Sequence, residues 1–511
     1  MCPHRNSPAS STTPIRCRPA DATRAPRRNR PMSDSSPSVI KGWMVFAAVL
    51  VAVLAIGLLL SSILERRAEG AQRQRVLQPV ARWESDSSKW AANWPREYAS
   101  WKATEQSDTA TKYGGSTMRD LLAEDPHNVI LFAGYPFSKD YNQARGHQHA
   151  VADVMATGRD IDGTKGNSPG KPGTCWTCKS PDVPRLMAEM GPAKFYDTPA
   201  KDLTPEIKHN IGCADCHDPA TMALAISRPA LVEAFERQGK DITQVSHQEM
   251  RTLVCAQCHV EYYFKKDEAK GQKAYLTFPW DKGMGVEEMD AYYDEKQFTD
   301  WTHPISGAKM VKMQHPDYEV YSKGIHAYRN VSCADCHMPY KTEGGQKFTD
   351  HQIRSPLTNI SNSCAVCHRW GEAEIRGRVE TIQDKILEGR IRAEEALAKA
   401  HFDIAACKQA GATDEELAEV RKLVRKAQLR WDYVAANNGL GFHAPQECQR
   451  ILAAAADLGQ QCRLAAARVL AKHGVTDPVV YPDWSSKEKA QALIKLFGKD
   501  GTPPKLIAAA K

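Results

Sequence analysis

A stripe of concentrated positive charge is missing from this 511-residue sequence: Lys and Arg are dispersed through it, and the formal net charge is only +7. That dispersal removes the electrostatic footprint expected of a nucleic-acid binder. The composition is not that of a disordered chain either, because 42% hydrophobic residues suffice for one large core or two moderate ones. Long apolar runs are scarce, and one stands out, the uncharged stretch from Gly42 to Leu64 between Lys41 and Glu65. Its core, WMVFAAVLVAVLAIGLLL, is long enough to cross a bilayer as one helix. No small-x-small cleavage site follows directly, which favours an uncleaved signal anchor over a removed signal peptide. Arg24, Arg27, Arg28, Arg30 and Lys41 upstream hold the N-terminus in the cytoplasm and send the rest outward, with Arg66 and Arg67 weakening that bias slightly. Residues 1–40, rich in Ser, Pro and Arg, read as a disordered basic cytoplasmic leader, in which Met32 is an equally good start.

Cysteine is plentiful but lacks the pairing pattern of a disulfide scaffold. Of 15 cysteines, those outside five C-x-x-C motifs are Cys2, Cys17, Cys407, Cys448 and Cys462, which show no spacing rule. Four of the motifs end in His: Cys213-Ala-Asp-Cys216-His217, Cys255-Ala-Gln-Cys258-His259, Cys333-Ala-Asp-Cys336-His337 and Cys364-Ala-Val-Cys367-His368. The first, Cys175-Trp-Thr-Cys178, lacks that His and has Lys179 instead. C-x-x-C-H in an exported chain is the attachment signature of c-type haem: two thioethers hold the porphyrin edge and the His becomes the proximal iron ligand. Five such haems bring on the order of ten propionates, which offset the apparent basicity of the bare sequence.

First cysteines of successive motifs are separated by 38, 42, 78 and 31 residues. Spacings this short predict successive haems in contact, each supplying apolar core that its own segment lacks. The gap between Cys255 and Cys333 holds more chain than haem wrapping needs, leaving room for a substrate or ion site. After His368 the pattern becomes helical: Ile375, Val379, Ile382 and Ile386 form an amphipathic stripe. Gly411 ends that stretch, Thr413-Asp-Glu-Glu416 is a capping box for the next helix, and an alanine-rich third helix runs from Pro445 to near Gly474. The expected fold is mainly α with little β structure. Its parts are an anchor over 41–64, a pentahaem catalytic region over 65–370, a long-helix region over 371–480 serving as a dimer interface, and a tail over 481–511.

His on both faces of an iron gives a closed centre that only passes electrons. Of 17 His, four belong to the motifs and His4 lies in the leader, so twelve remain for distal ligation or catalysis. Lys179 marks a different haem. A primary amine binds metal only when neutral, so its pKa of about 10.4 must fall on coordination. Such a ligand suits a haem whose opposite face is open to substrate.

Four C-x-x-C-H motifs and one C-x-x-C-K, in this order, resemble the pentahaem cytochrome c nitrite reductases over about residues 90 to 475. The likeness extends to Cys258-His-Val-Glu-Tyr-Tyr-Phe264, to Lys312-Met-Gln-His-Pro316, and to Arg159, twenty residues before Lys179. The resemblance implies that nitrite is reduced to ammonium at the Lys179 haem, with Arg159, Tyr262 and His315 around the substrate. It implies one calcium ion held by Glu261, Gln314 and the backbone carbonyls of Tyr262 and Lys312, all hard oxygen donors. It also implies distal ligands: His351 for the second haem, His147 for the third, His443 for the fourth and His326 for the fifth. His149 and His303 are the decoys. Hydroxylamine or sulfite are further substrates to consider. The implied electron donor is a membrane quinol dehydrogenase or a soluble multihaem cytochrome, and the anchor, which many relatives lack, favours the former. The location is the periplasmic face of the inner membrane. The competing function is a multihaem electron-transfer cytochrome without its own substrate, which requires all five haems to be closed.

Overall fold

The computed structural model describes residues 41–73 and 78–507 except 162, 164–169, 268 and 270. The basic leader at 1–40, with Cys2, Cys17 and Met32, lies outside the described residues, as do residues 508–511 of the tail. Two compact units meet at the Arg73–Gln74 boundary.

The first unit is built on helix α1, Gly42–Arg73. Its apolar part, Gly42–Arg67, has a mean hydropathy of 2.8 and none of it is buried against protein. The helix outlasts the 41–64 span expected from hydropathy, because Glu65, Arg66, Arg67 and Ala68 are good helix formers and nothing caps the helix at Leu64. Its 32 residues span about 48 Å, more than the roughly 30 Å of bilayer hydrocarbon.

The second unit is mainly helical, and its described strands form four two-stranded antiparallel ribbons. One ribbon, β1 (Tyr263–Asp267) with β2 (Gln272–Thr277), leads directly out of the third motif. Four of the motifs sit on single helical turns, and the third begins in the last turn of the helix His247–Ala256. In the second and fourth, the Asp between the cysteines folds back to cap its own turn: the Gly212 and Ser332 backbone N–H groups donate to Asp215 and Asp335 at 2.7 and 2.8 Å.

Three long helices follow: α2 (Glu372–Gln409), α3 (Asp414–Ala435) and α4 (Pro445–Lys472). Gly411 and Gly474 leave α2 and α4 with φ of 92° and 77°, conformations that favour glycine. The Thr413–Glu416 capping box forms at the start of α3. The early part of α2 buries a narrow stripe, Ile375, Val379 and Ile386, whereas residues from Ala393 to Cys407 are buried on nearly every side. Small residues allow that: a Cβ on Gly459 of α4 would stand 3.2 Å from the Ala396 side chain. The unpatterned Cys407, Cys448 and Cys462 are buried free thiols in this seam, two of them donating to the carbonyls of Ala466 and Val420 at 3.3 Å.

The side-chain part of the apolar core joins segments distant in sequence. One continuous cluster joins Val129 to Phe132, Trp176, Phe195, Leu253, Phe278, Trp280 and Val320 to the long helices. Among the described residues, Leu357, Ile360, Ile375 and Val379, beside the fifth motif, form a separate cluster. The spacer segments carry large apolar side chains that pack on the long helices.

Candidate active site

Histidines close around four of the motifs. Ring centroids of His217 and His351 are 6.2 Å apart, His147 and His259 6.4 Å, His337 and His443 6.3 Å, and His326 and His368 6.4 Å. Two imidazoles that each place a nitrogen at about 2 Å from one metal between them have centroids roughly 6 Å apart, so every pair fits a haem iron. Ring orientation fits as well. The Nδ1 atoms of His217, His337 and His351 lie 2.9, 3.0 and 2.8 Å from the carbonyls of Met222, Arg354 and Thr349, which turns each Nε2 away from backbone partners. Burial lowers the pKa of His147 to about 3 and those of His217 and His337 to about 4, and lowers His351, His326 and His443 too. These imidazoles are therefore neutral, the form that ligates metal. Glycine makes room for one of them: a Cβ on Gly439 would lie 2.8 Å from His443 Nδ1. Among the decoys, His149 Nε2 sits 2.9 Å from the Glu105 carbonyl, and His303 stacks on His401 at 3.7 Å.

Contacts between motif cysteines give the order of the motifs in space. Cys178 of the first motif lies beside Cys258 of the third, and Cys255 of the third lies beside Cys333 of the fourth. Cys216 of the second motif acts electrostatically on Cys255, and Cys364 and Cys367 of the fifth act on Cys336 of the fourth. The third motif is therefore the junction, and the first abuts it across 80 residues of sequence rather than meeting only its chain neighbour.

Lys179 ends a rigid turn. Its N–H donates to Trp176 O at 3.0 Å; the fully buried Trp176 donates Nε1–H to Ala200 O at 3.2 Å, and Thr174 Oγ1 donates to Ala274 O at 2.7 Å. The Lys179 side chain is half-buried, within electrostatic reach of Cys175 and of His147. Arg159 reaches the same place, acting on Cys175, with its guanidinium 4.4 Å over the Phe137 ring and its Nε–H donating to Thr157 Oγ1 at 3.2 Å. Burial pushes the Tyr262 hydroxyl well above its usual range, and the neighbouring Cys178 and Cys175 add to the shift. Arg159 and Tyr262 thus converge on the first motif.

Beside them lies a pocket of oxygen donors. Glu261 and Glu319 are fully buried, and burial drives Glu261 well above the usual carboxylate range and Glu319 up to about 8. The Gln314 N–H donates to the Glu261 carboxylate, and the Gln314 side chain lies 3.4 Å from both Lys312 O and Tyr135 Oη. Lys312 acts on Glu261 only from a distance, because its ammonium is committed to Asp432 at 2.8 Å. Concentrated carboxylate and carbonyl oxygen without a bonded cation fits a hard divalent ion such as calcium.

His315 makes its contacts with the third motif. Its ring centroid is 4.6 Å from that of His259, and its Nε2 is 3.1 Å from Asp317 Oδ2 and 2.6 Å from Asn438 Nδ2. The same Asp317 oxygen lies 3.1 Å from His259 Nδ1. Burial opposes ionisation of Asp317, but His315 and His259 outweigh it and hold the carboxyl well below its usual range.

The family model for cytochrome c552 matches residues 86–502. The chain belongs to the cytochrome c552 family. It is 51% identical over 457 residues to the cytochrome c-552 of Parabacteroides distasonis, covering 89% of this chain and 92% of that protein. The cytochrome c-552 of Desulfotalea psychrophila is 45% identical over 454 residues, with 87% of each chain covered. Among solved structures, the catalytic subunit of cytochrome c nitrite reductase from Desulfovibrio desulfuricans, described for its two calcium sites, superposes with a TM-score of 0.72. It is 34% identical, with 76% of this chain and 88% of that one covered.

Sequence reasoning about this cytochrome c552 missed several residues that the site uses. Tyr135, Asp317 and Glu319 approach it from segments with no recognisable spacing relative to the motifs. Asp317 and Glu319 follow the Lys312–Pro316 stretch directly, so extending that stretch by three residues would have found them. Arg228 and Gln257, which join three of the motifs, left a weaker trace: only Gln257, a polar residue inside its motif, hinted at a tertiary role.

Proposed function

We propose that this protein is a cytochrome c nitrite reductase that reduces nitrite to ammonium at the first haem, using six electrons relayed by the other four. The observation that carries the reading is the asymmetry of ligation: four motifs have a histidine at iron-spanning distance from their own His, and the remaining motif presents Lys179 with Arg159 and Tyr262 gathered beside it. The likeness to the Desulfovibrio desulfuricans nitrite reductase supports the same reaction.

When bound, the five haems supply the electron-transfer steps and an iron to which nitrite binds. Lys179, His217, His259, His337 and His368, together with His351, His147, His443 and His326, would hold the irons. The Arg159 guanidinium attracts the nitrite anion and polarises its oxygens. Tyr262, whose hydroxyl keeps its proton across the physiological range, donates hydrogen bonds to those oxygens. His315 takes part in proton supply from the side of the third motif, with its Nε2 held 3.1 Å from Asp317 Oδ2. Glu261, Gln314 and the carbonyls of Tyr262 and Lys312 would hold calcium, with Glu319 as an additional buried carboxylate next to them. The Gln314 N–H bond to the Glu261 carboxylate already ties the segment after the third motif to the segment bearing His315, and a bound ion would reinforce that tie.

The apolar helix α1 supports reading the protein as extracytoplasmic and anchored to the inner membrane, with a quinol dehydrogenase or another multihaem cytochrome as electron donor. The exposed flank of the early part of α2, with its narrow buried stripe, is the proposed homodimer face. Hydroxylamine and sulfite, small oxygen-bearing species, are candidate further substrates.

The test is steady-state nitrite reduction by the purified holoprotein with a dithionite-reduced mediator, quantifying ammonium. One ammonium per nitrite is expected. A Lys179→His variant with full haem content should lose most turnover, and unchanged turnover would remove the catalytic role from the lysine.

A further inference from the structure

Arg228 is only 1% exposed, and its guanidinium is spent on the first motif and the second. Nε–H donates to Thr177 O at 2.9 Å and an Nη to Ser180 O at 2.8 Å, the two carbonyls that bracket Cys178 and Lys179. The other Nη donates to Ser227 Oγ at 2.6 Å, and the Asp215 carboxylate, inside the second motif, is paired at 2.5 Å. The Arg228 backbone N–H donates to Gln257 Oε1 at 3.2 Å, and Gln257 Nε2, inside the third motif, donates to Asp215 O at 2.8 Å. One side chain thus touches the turn that presents Lys179 and is linked to the two neighbouring haem-attachment segments.

We propose that Arg228 is a positioning residue that fixes the Thr177–Ser180 turn and thereby aims the Lys179 amine at the first haem. The proposal rests on Lys179 being that haem's ligand. A planar guanidinium suits the task because its N–H groups point in fixed directions and span two carbonyls at once, whereas an ammonium on a flexible stem cannot hold both. His-terminated motifs need no such device where the Nδ1 of their His is fixed by a carbonyl, as at His217 and His337. Lys179 has a four-carbon chain and no second ring nitrogen to anchor, so its aim depends on where its backbone is held.

The plain alternative is that Arg228 serves only to neutralise the buried Asp215. Three variants of the full holoprotein separate the two: Arg228→Lys, Asp215→Asn, and the double variant Arg228→Gln/Asp215→Asn. The readouts are haem content, the electron paramagnetic resonance spectrum of the oxidised protein, the midpoint potential of the first haem, and kcat and KM for nitrite. Arg228→Lys and the double variant should keep five haems and four unchanged low-spin signals. Both should shift the signal and potential of the first haem and lower kcat by about tenfold to a hundredfold, with KM changed much less. Asp215→Asn, which leaves both hydrogen bonds to Thr177 and Ser180 in place, should leave the first-haem signal as in the wild type. The idea is overturned by a wild-type first-haem signal in Arg228→Lys or the double variant, or by an equal defect in Asp215→Asn. Should the two Arg228 variants lose haem, Asp215→Asn alone decides, since a disturbed first haem there overturns the proposal. Lys179→His, run alongside, tests the ligand itself: an unchanged first-haem signal in that variant removes the ligand assignment whatever Arg228 does.

Discussion

Replacing Gly439 by alanine tests the iron-spanning geometry through a single methyl group. A Cβ there would stand 2.8 Å from His443 Nδ1 and 2.9 Å from Cε1, whereas carbon reaches a comfortable contact at about 3.5 Å, so the imidazole must retreat by about 0.7 Å. Metal–nitrogen bonds tolerate only about 0.2 Å around their ideal length. Retreat by backbone motion is restricted too, because Gly324 packs so closely that a Cβ on it would fall 1.8 Å from the His443 carbonyl oxygen. Overpacking of this kind costs about 1–3 kcal/mol of stability, which a domain of this size registers as a Tm lowered by a few degrees. The fourth haem stays attached through Cys333 and Cys336. The expected result for Gly439→Ala is a folded protein with five haems in which one low-spin signal is replaced by a high-spin one. Haem content by pyridine haemochrome and electron paramagnetic resonance of the oxidised protein measure both quantities. Undiminished low-spin intensity from four haems would refute His443 as a ligand held by this cradle.

Two further outcomes follow from the buried charges. Glu261→Gln should weaken calcium binding at least about tenfold and make nitrite turnover dependent on added calcium; a chelator that leaves wild-type turnover intact would count against the site. Burial holds His303 well below its usual pKa and His401 at about 4, while both titrate near 6.5 when unfolded. The unfolded chain then binds more protons between about pH 4 and 6.5, so stability is full above 6.5 and is lost as pH falls through that window. His401→Gln should flatten that acid transition, removing up to about 1.4 kcal/mol per pH unit of slope; circular dichroism across the window checks it, and an identical slope would contradict the assignment.

The helical ends of this chain were legible from local chemistry. Thr413 and Glu416 close their capping box, and Gly411 and Gly474 sit at φ values that side chains disfavour, because capping depends on residues within a few positions of each other. The end of α1 was less legible: hydropathy marks where a bilayer would stop, not where helical hydrogen bonding does. Which side chains share a core was not legible from the motif spacings. Trp176, Trp280 and Trp431 share one protein core, a matter of which spacer segments reach the long helices.

Attachment chemistry was fixed by the sequence alone, since a thioether pair and its neighbouring ligand are contiguous in the chain: five motifs, four ending in His and one in Lys179. Which motifs are neighbours was decided only by the tertiary structure. The first abuts the third through Cys178 and Cys258, and the histidines facing the motif histidines arrive from as near as His326, opposite His368, and as far as His351, opposite His217. The same holds for the buried pair Glu261 and Glu319, and for Arg228 bridging Thr177, Ser180 and Asp215. Covalent spacing constrains only what lies within a turn or two, whereas a buried charge or an iron-sized gap depends on the packing of segments distant in sequence.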